Sequence, residues 1–225
     1  MNVTSVDWLP SVFIGLMGLS FLIYAILDGY DLGVGVLLPL DNPQQRDTMI
    51  YSIGPFWDAN ETWLVMAIGL LLIAFPKAHS IIFQALYLPT ALMLAGLILR
   101  GVSFDFRTKA PITDKHKWDY AFKFGSLLAT LTQGYMLGRY VTSFEDSWLS
   151  IGFSALSAVC VTAGYCFIGA AWLVMKTEGE LQRRAANWAK ITNVLMAVGI
   201  IAVCLTNLLI DQQIMDKWLG GMQVL

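Results

Sequence analysis

The chain has 225 residues, of which 57% are hydrophobic and 13% charged; a soluble domain carries roughly 45–50% apolar and about 25% charged residues. Fourteen basic residues against sixteen acidic ones give a formal net charge of −2, and the mean hydropathy is +0.63. These values exclude a disordered chain, a nucleic-acid binder and most soluble enzymes. They indicate an all-α integral membrane protein, in which ionisable residues are the place to look for function.

A helix needs about 20 apolar residues to cross a bilayer. In chain order the apolar runs predict six spans, at Leu9–Leu27, Thr62–Phe75, Ser80–Ile98, Tyr120–Val141, Trp148–Met175 and Trp188–Ile210. The second is short, so its helix is expected to begin upstream, near Ser52. The first run has no basic segment before it and no small-residue cleavage site after it, so it is expected to stay as a span rather than be removed as a signal peptide. The loops after spans one, three and five hold Arg46, Arg100, Arg107, Lys109, Lys115, Lys117, Lys123, Lys176, Arg183, Arg184 and Lys190. The other side holds Lys77, Arg139 and Lys217. The positive-inside rule therefore predicts cytoplasmic odd-numbered loops and a periplasmic N-terminus, in a bacterial inner membrane.

Three segments place acids and bases at the predicted span ends. The first is Asp28-Gly29-Tyr30-Asp31-Leu32-Gly33-Val34-Gly35. Asp28 and Asp31 share a helical face, and Gly29, Gly33 and Gly35 would let a helix or a cofactor approach closely. A solvated helix end with flexible glycines explains the same residues. The second segment is Pro55-Phe56-Trp57-Asp58-Ala59-Asn60-Glu61-Thr62-Trp63. Pro55 suits the first turn of a helix, and Asp58 would complement the positive end of the helix dipole. Asp58 and Glu61, with Asn60 between them, exceed what a cap requires and point to a proton site. The third segment ends span three. Arg100 there must snorkel or find an anion, with Asp58 one candidate partner, and Asp105 and Lys109 have favourable ion-pair spacing.

Cys160, Cys166 and Cys204 sit in apolar runs and form no CxxC pair, which argues against a disulfide framework or a zinc site. His79 and His116 fall in predicted loops, so no span offers a haem an axial histidine. No nucleotide or metal motif is present. The chain offers proton-handling groups but no redox centre of its own, so redox chemistry would need a cofactor on a partner.

The three segments, with Arg100-Gly101-Val102-Ser103-Phe104-Asp105-Phe106-Arg107 as the third, resemble the signature segments of subunit II of cytochrome bd-type ubiquinol oxidases, and the Ala-Asn-Glu-Thr stretch is similar to the cyanide-insensitive branch. Lys176-Thr177-Glu178-Gly179-Glu180-Leu181 resembles the loop after that family's fifth helix. The resemblance implies an oxidase that couples quinol oxidation to reduction of O2 to water. It implies a haem-bearing subunit I as partner, holding haem b and haem d or a b-type replacement, and a subunit II without haem of its own. Ubiquinol would be the substrate of the complex. Some family members hold a structural quinone in subunit II, which no residue here assigns, and a small accessory subunit is left open.

The resemblance further implies a cytoplasmic proton route with stations at Asp58, Asp105 and Lys109 and Trp57 beside it, to which the acid pair read above adds Glu61; it also implies support of the haem sites by Arg100 and a structural or proton-linked role for Asp28 and Asp31. It implies two four-helix bundles, so residues 1–142 are expected to form the first and 143–225 part of the second within one membrane domain. Family members usually carry about two further helices, so the chain is expected to be C-terminally shortened. Two other readings stay open: a proton-coupled secondary transporter, and a purely structural assembly subunit. No metal ligand set is expected.

Overall fold

The structure, a computed structural model, describes residues 8–111 and 113–210, with side chains through residue 206. Lys217 and Trp218 lie outside the described residues. The elements are α1 (Leu9–Leu37), α2 (Pro43–Ile53), α3 (Trp57–Ala74), α4 (Pro76–Ala85), α5 (Tyr87–Lys109), α6 (Lys115–Val141), α7 (Trp148–Lys176) and α8 (Gly179–Ile210). Among the described residues every regular element is a helix. Five of them, α1, α3, α5, α7 and α8, are long and apolar enough to cross a membrane. The chain is a multi-pass membrane protein.

The expected fourth span, α6, does not pass on composition, so the count by length and apolarity is five rather than six. Its 27 residues would still reach about 40 Å at 1.5 Å per residue. Its polar residues Asp119, Ser126, Thr130 and Thr132 are buried against neighbouring helices. Composition counts these residues as if they faced lipid, whereas packing hides them between α5, α7 and α1.

Three expected boundaries shift. The first helix does not stop at Leu27 but runs on to Leu37, so Asp28 and Asp31 lie inside the bundle, fully buried. The second span does not begin near Ser52. A separate helix, α2, ends at Ile53, a turn follows, and α3 starts at Trp57. Pro55 is therefore in that turn and not in the first turn of the span. The third run splits at Leu86 into α4 and α5. Pro89 accounts for the break: it has no N–H to give, and its ring would strike the carbonyl four residues back, that of Ala85.

Small residues set how closely the helices pack. A Cβ on Gly33 would overlap the carbonyl oxygen of Tyr165, and one on Gly169 would come 2.7 Å from the backbone of Gly33 and Val34, so α1 and α7 touch backbone to backbone. A Cβ on Gly35 would overlap the Ser126 hydroxyl of α6. Gly96 and Gly125 play the same part between α5 and α6, and Gly134 and Gly138 between α6 and α7. Such contacts suit a bilayer, where helix association rests on close van der Waals packing because lipid is as apolar as a leucine partner.

The connections are short. Thr177 and Glu178 alone separate α7 from α8, and Gly179 takes φ +67°, a left-handed conformation that disfavours a side chain. After α6, Ser143 and Phe144 also have positive φ. Arg139 holds that turn by donating to the carbonyls of Phe144 and Glu145 and to Asp146.

Candidate functional site

Arg100, on α5, is fully buried. Its Nη1 donates to Asp28 Oδ1 of α1 at 2.8 Å and to Glu61 Oε1 of α3 at 3.0 Å. Asp31 Oδ2 lies 4.0 Å from its Nη2. One guanidinium thus faces three carboxylates from two helices. Asp28 and Asp31 have no exposed side-chain surface, whereas Glu61 keeps 25%. The carboxylates can stay in the bundle because Arg100 compensates them. An uncompensated buried charge would cost several kcal/mol.

Asn60 organises the acidic side. Its amide donates to Asp31 Oδ2 at 2.8 Å, to the Tyr30 hydroxyl at 3.0 Å and to the carbonyl of Leu27 at 3.4 Å. Tyr30 stacks on Trp172 of α7 at 4.2 Å between ring centroids. On the other flank the Arg100 guanidinium lies 5.8 Å from the Trp57 ring centroid, close enough for a cation–π attraction. Trp57 also packs on Phe104. Asp28 Oδ2, Asp31 Oδ1, and Nε and Nη2 of Arg100 have no hydrogen-bond partner among the described residues.

The predicted site residues therefore divide into two groups. Asp28, Asp31, Glu61, Arg100 and Trp57 come together, and Gly29, Gly33 and Gly35 seat the α1 segment against α7 and α6. The close approach those glycines allow is made by α7 and α6. Asp58, Asp105 and Lys109 are exposed and enter no ion pair among the described residues. Arg100 thus meets Asp28 and Glu61 rather than Asp58, and Asp105 does not pair with Lys109. On α5, Arg100, Ser103 and Arg107 form the buried stripe, and Asp105 and Lys109 fall off it.

A second buried ionic group was not singled out in the sequence. Asp119 of α6 is fully buried. It meets Arg46 of α2 at 2.9 Å and Arg107 of α5 at 2.5 Å, and Arg107 also binds Asp47 of α2. This group ties the short helix α2 to the ends of α5 and α6. In the sequence Arg46 and Arg107 count among the basic residues of the odd-numbered loops, and Asp119 has no role. The only available hint was Asp119 inside a run of alternating charge and aromatics.

The histidines are in helices rather than loops. His79 is in α4, stacked on Phe83. His116 is in the first turn of α6, exposed, with its ring nitrogen 2.8 Å from the Thr113 carbonyl. Lys117 pairs with the exposed Asp114, whose pKa is held below the usual carboxylate range by that lysine.

A family model described as cytochrome bd terminal oxidase subunit II matches residues 9–224. The chain belongs to this family. It is 33% identical over 206 residues to a Bacillus subtilis protein named cytochrome bd ubiquinol oxidase subunit 2, covering 84% of this chain and 59% of that one. It is 33% identical over 193 residues to the Escherichia coli K12 cytochrome bd-I ubiquinol oxidase subunit 2, covering 78% of this chain and 51% of that one. The chain thus spans little more than half the length of these relatives. The family match and the charged segments agree in place, since Asp28–Gly35, Trp57–Trp63 and Arg100–Arg107 all fall within the matched residues.

Proposed function

We propose that this chain is the haem-free subunit II of a terminal quinol oxidase that couples quinol oxidation to reduction of O2 to water. Its partner is a haem-bearing subunit I, which it stabilises. The partner's haems supply electron transfer and oxygen binding. The charge distribution supports a bacterial inner-membrane orientation with the periplasmic side at the N-terminus.

The observation that carries the proton-handling role is the position of Glu61. Its carboxylate keeps some surface on α3, yet on its inner side it bonds the fully buried Arg100. It therefore joins the outside of the bundle to the interior cluster. Asp58, one turn earlier, is exposed beside Trp57, and Asp105 and Lys109 are exposed toward the end of α5. In the assembled oxidase these groups pass protons from the cytoplasm through Lys109, Asp105 and Asp58 to Glu61. The cluster suits the task because three carboxylates share one guanidinium. Its fully ionised formal charge of −2 leaves room for exchangeable protons, and its orphaned oxygens are free to take new hydrogen-bond partners.

The tight seating of α1 on α7 and α6 supports a subunit that holds no haem at its glycine-rich segment, since backbone fills that space. Uptake of charge from one side of the membrane stores about 2.3 kcal/mol per charge per 100 mV. The test is Glu61→Gln in the assembled oxidase, a change that keeps a hydrogen-bonding oxygen for Arg100. Lower turnover per haem at full haem content is the expected result. A parallel loss of haem and activity would assign Glu61 to assembly instead, and unchanged turnover per haem would remove it from the route.

A further inference from the structure

A cavity of about 440 Å³ opens where α1 ends and α8 begins. Its walls are apolar, including Leu37 and Leu40, and the indole of Trp188 forms one side. Two cations reach it, Lys123 from α6 and Arg184 from α8. The Arg184 guanidinium lies 5.0 Å from the Trp188 ring centroid and pairs with Asp41 at 3.2 Å. Lys123 donates to the carbonyl of Leu38, the C-cap of α1, at 2.8 Å, and meets no carboxylate among the described ion pairs.

Capping a helix end explains one N–H of Lys123, because a cation at a helix C-terminus is favourable. An ammonium has three donors, so others remain for a ligand. The charge balance in the cavity is two cations against one acid. Asp41 is fully matched to Arg184, whose hydrogen bonds hold its pKa below the usual carboxylate range. One positive charge, that of Lys123, is left over. A single phosphodiester anion neutralises it, and the apolar wall and interfacial indole suit the glycerol and upper acyl chains. Basic pockets between transmembrane helices on the cytoplasmic side are the usual places for anionic headgroups.

We propose that this cavity binds the headgroup of an anionic phospholipid, with Lys123 on the phosphate, Trp188 beside the glycerol backbone, and Arg184, already held by Asp41 and by Gln45 at 3.0 Å, framing the site. None of these residues belongs to the proposed proton route, so the site stands or falls independently of it.

The test uses the full chain purified in mild detergent and delipidated. Native mass spectrometry and thermal melts are run with added phosphatidylglycerol, phosphatidylcholine or inorganic phosphate. Phosphatidylglycerol should be retained and should raise the melting temperature, while phosphatidylcholine, which brings its own cation, should do neither. Lys123→Gln should weaken phosphatidylglycerol retention by about five-fold, the effect of one basic residue at an anionic membrane surface. Lys123→Arg keeps both the charge and the cap and should retain the lipid, which guards against a loss caused by misfolding. Equal retention of both lipids, or unchanged phosphatidylglycerol binding in Lys123→Gln, overturns the proposal. Displacement of the lipid by millimolar inorganic phosphate would identify a free-anion site and overturn it as well.

Discussion

Asp28 and Arg100 stand 72 residues apart in the chain and meet at 2.8 Å with both side chains fully buried. The pair joins α1 to α5, and Glu61 brings α3 to the same guanidinium. The centre of the bundle is thus held by an ionic contact among helices that are otherwise apolar. Removing one partner of such a group is far worse than never having built it, because the remaining charges stay buried without compensation.

Arg100→Gln should therefore destabilise the bundle by about 3–5 kcal/mol, since it strands three carboxylates. Asp28→Asn should cost less, because Glu61 and Asp31 remain near the guanidinium. Detergent melts of the chain and of its assembled complex would check the order. The double variant should fall short of the sum of the two, as expected for residues in direct contact.

Gly33→Ala should also destabilise, by about 1–3 kcal/mol, because its Cβ meets the Tyr165 carbonyl and α7 must move away. Gly69→Ala is the control. Nothing lies within 4 Å of its Cβ position, so the change should be neutral or stabilising by up to about 1 kcal/mol through helix propensity. Melts of the two variants of the purified chain should move in opposite directions, or only the first should move.

Asp119→Asn should loosen α2 while leaving the longer helices in place. Arg46 and Arg107 would lose their shared buried carboxylate, a loss on the order of 3–5 kcal/mol when a buried partner is removed. Limited proteolysis should then cut between residues 43 and 53 faster than in the parent chain. An unchanged cleavage rate there would show that the apolar contacts of Met49, Ile50 and Ile53 hold α2 by themselves.

The contact between Asp41 and Arg184 should be steady to mild acid. Arg184 lowers the Asp41 pKa in the folded chain. The stability this contributes is complete above the unfolded carboxylate value of about 3.9 and is lost only as pH falls through the lower folded value. Melts of the parent chain and of Asp41→Asn should differ by a small, constant offset from neutral pH to about pH 4, then converge in stronger acid. The offset is small because exposed ion pairs contribute little.

Much of the molecule was legible in the order of its residues. Long apolar runs predicted a helical membrane protein, because a bilayer tolerates few alternatives to helices. Arg100, closing an apolar run, could either snorkel or find an anion, and in the structure it finds Asp28 and Glu61. The i, i+3 spacing put Asp28 with Asp31 and Asp58 with Glu61; the structure buries the first pair together but brings only Glu61 of the second to Arg100, leaving Asp58 exposed. Composition ends the first span before the acids of α1, because it cannot see the guanidinium that lets Asp28 and Asp31 lie buried between helices. The third apolar run continues through Leu86 without interruption in hydropathy, and Pro89 is the signal in it for the break between α4 and α5.

The sequence by itself determined the class of the protein, its family and the segments where charge meets hydrocarbon. Only the tertiary structure decided the partners. Helical periodicity says which residues share a face of one helix but not which helix that face meets. It could not tell Asp28 and Glu61 from Asp58 as partners of Arg100, or find Asp119 between Arg46 and Arg107. Those choices were made by close packing of α1 on α7 and α6, which glycine allows, and by the cost of leaving any buried charge without its counterion.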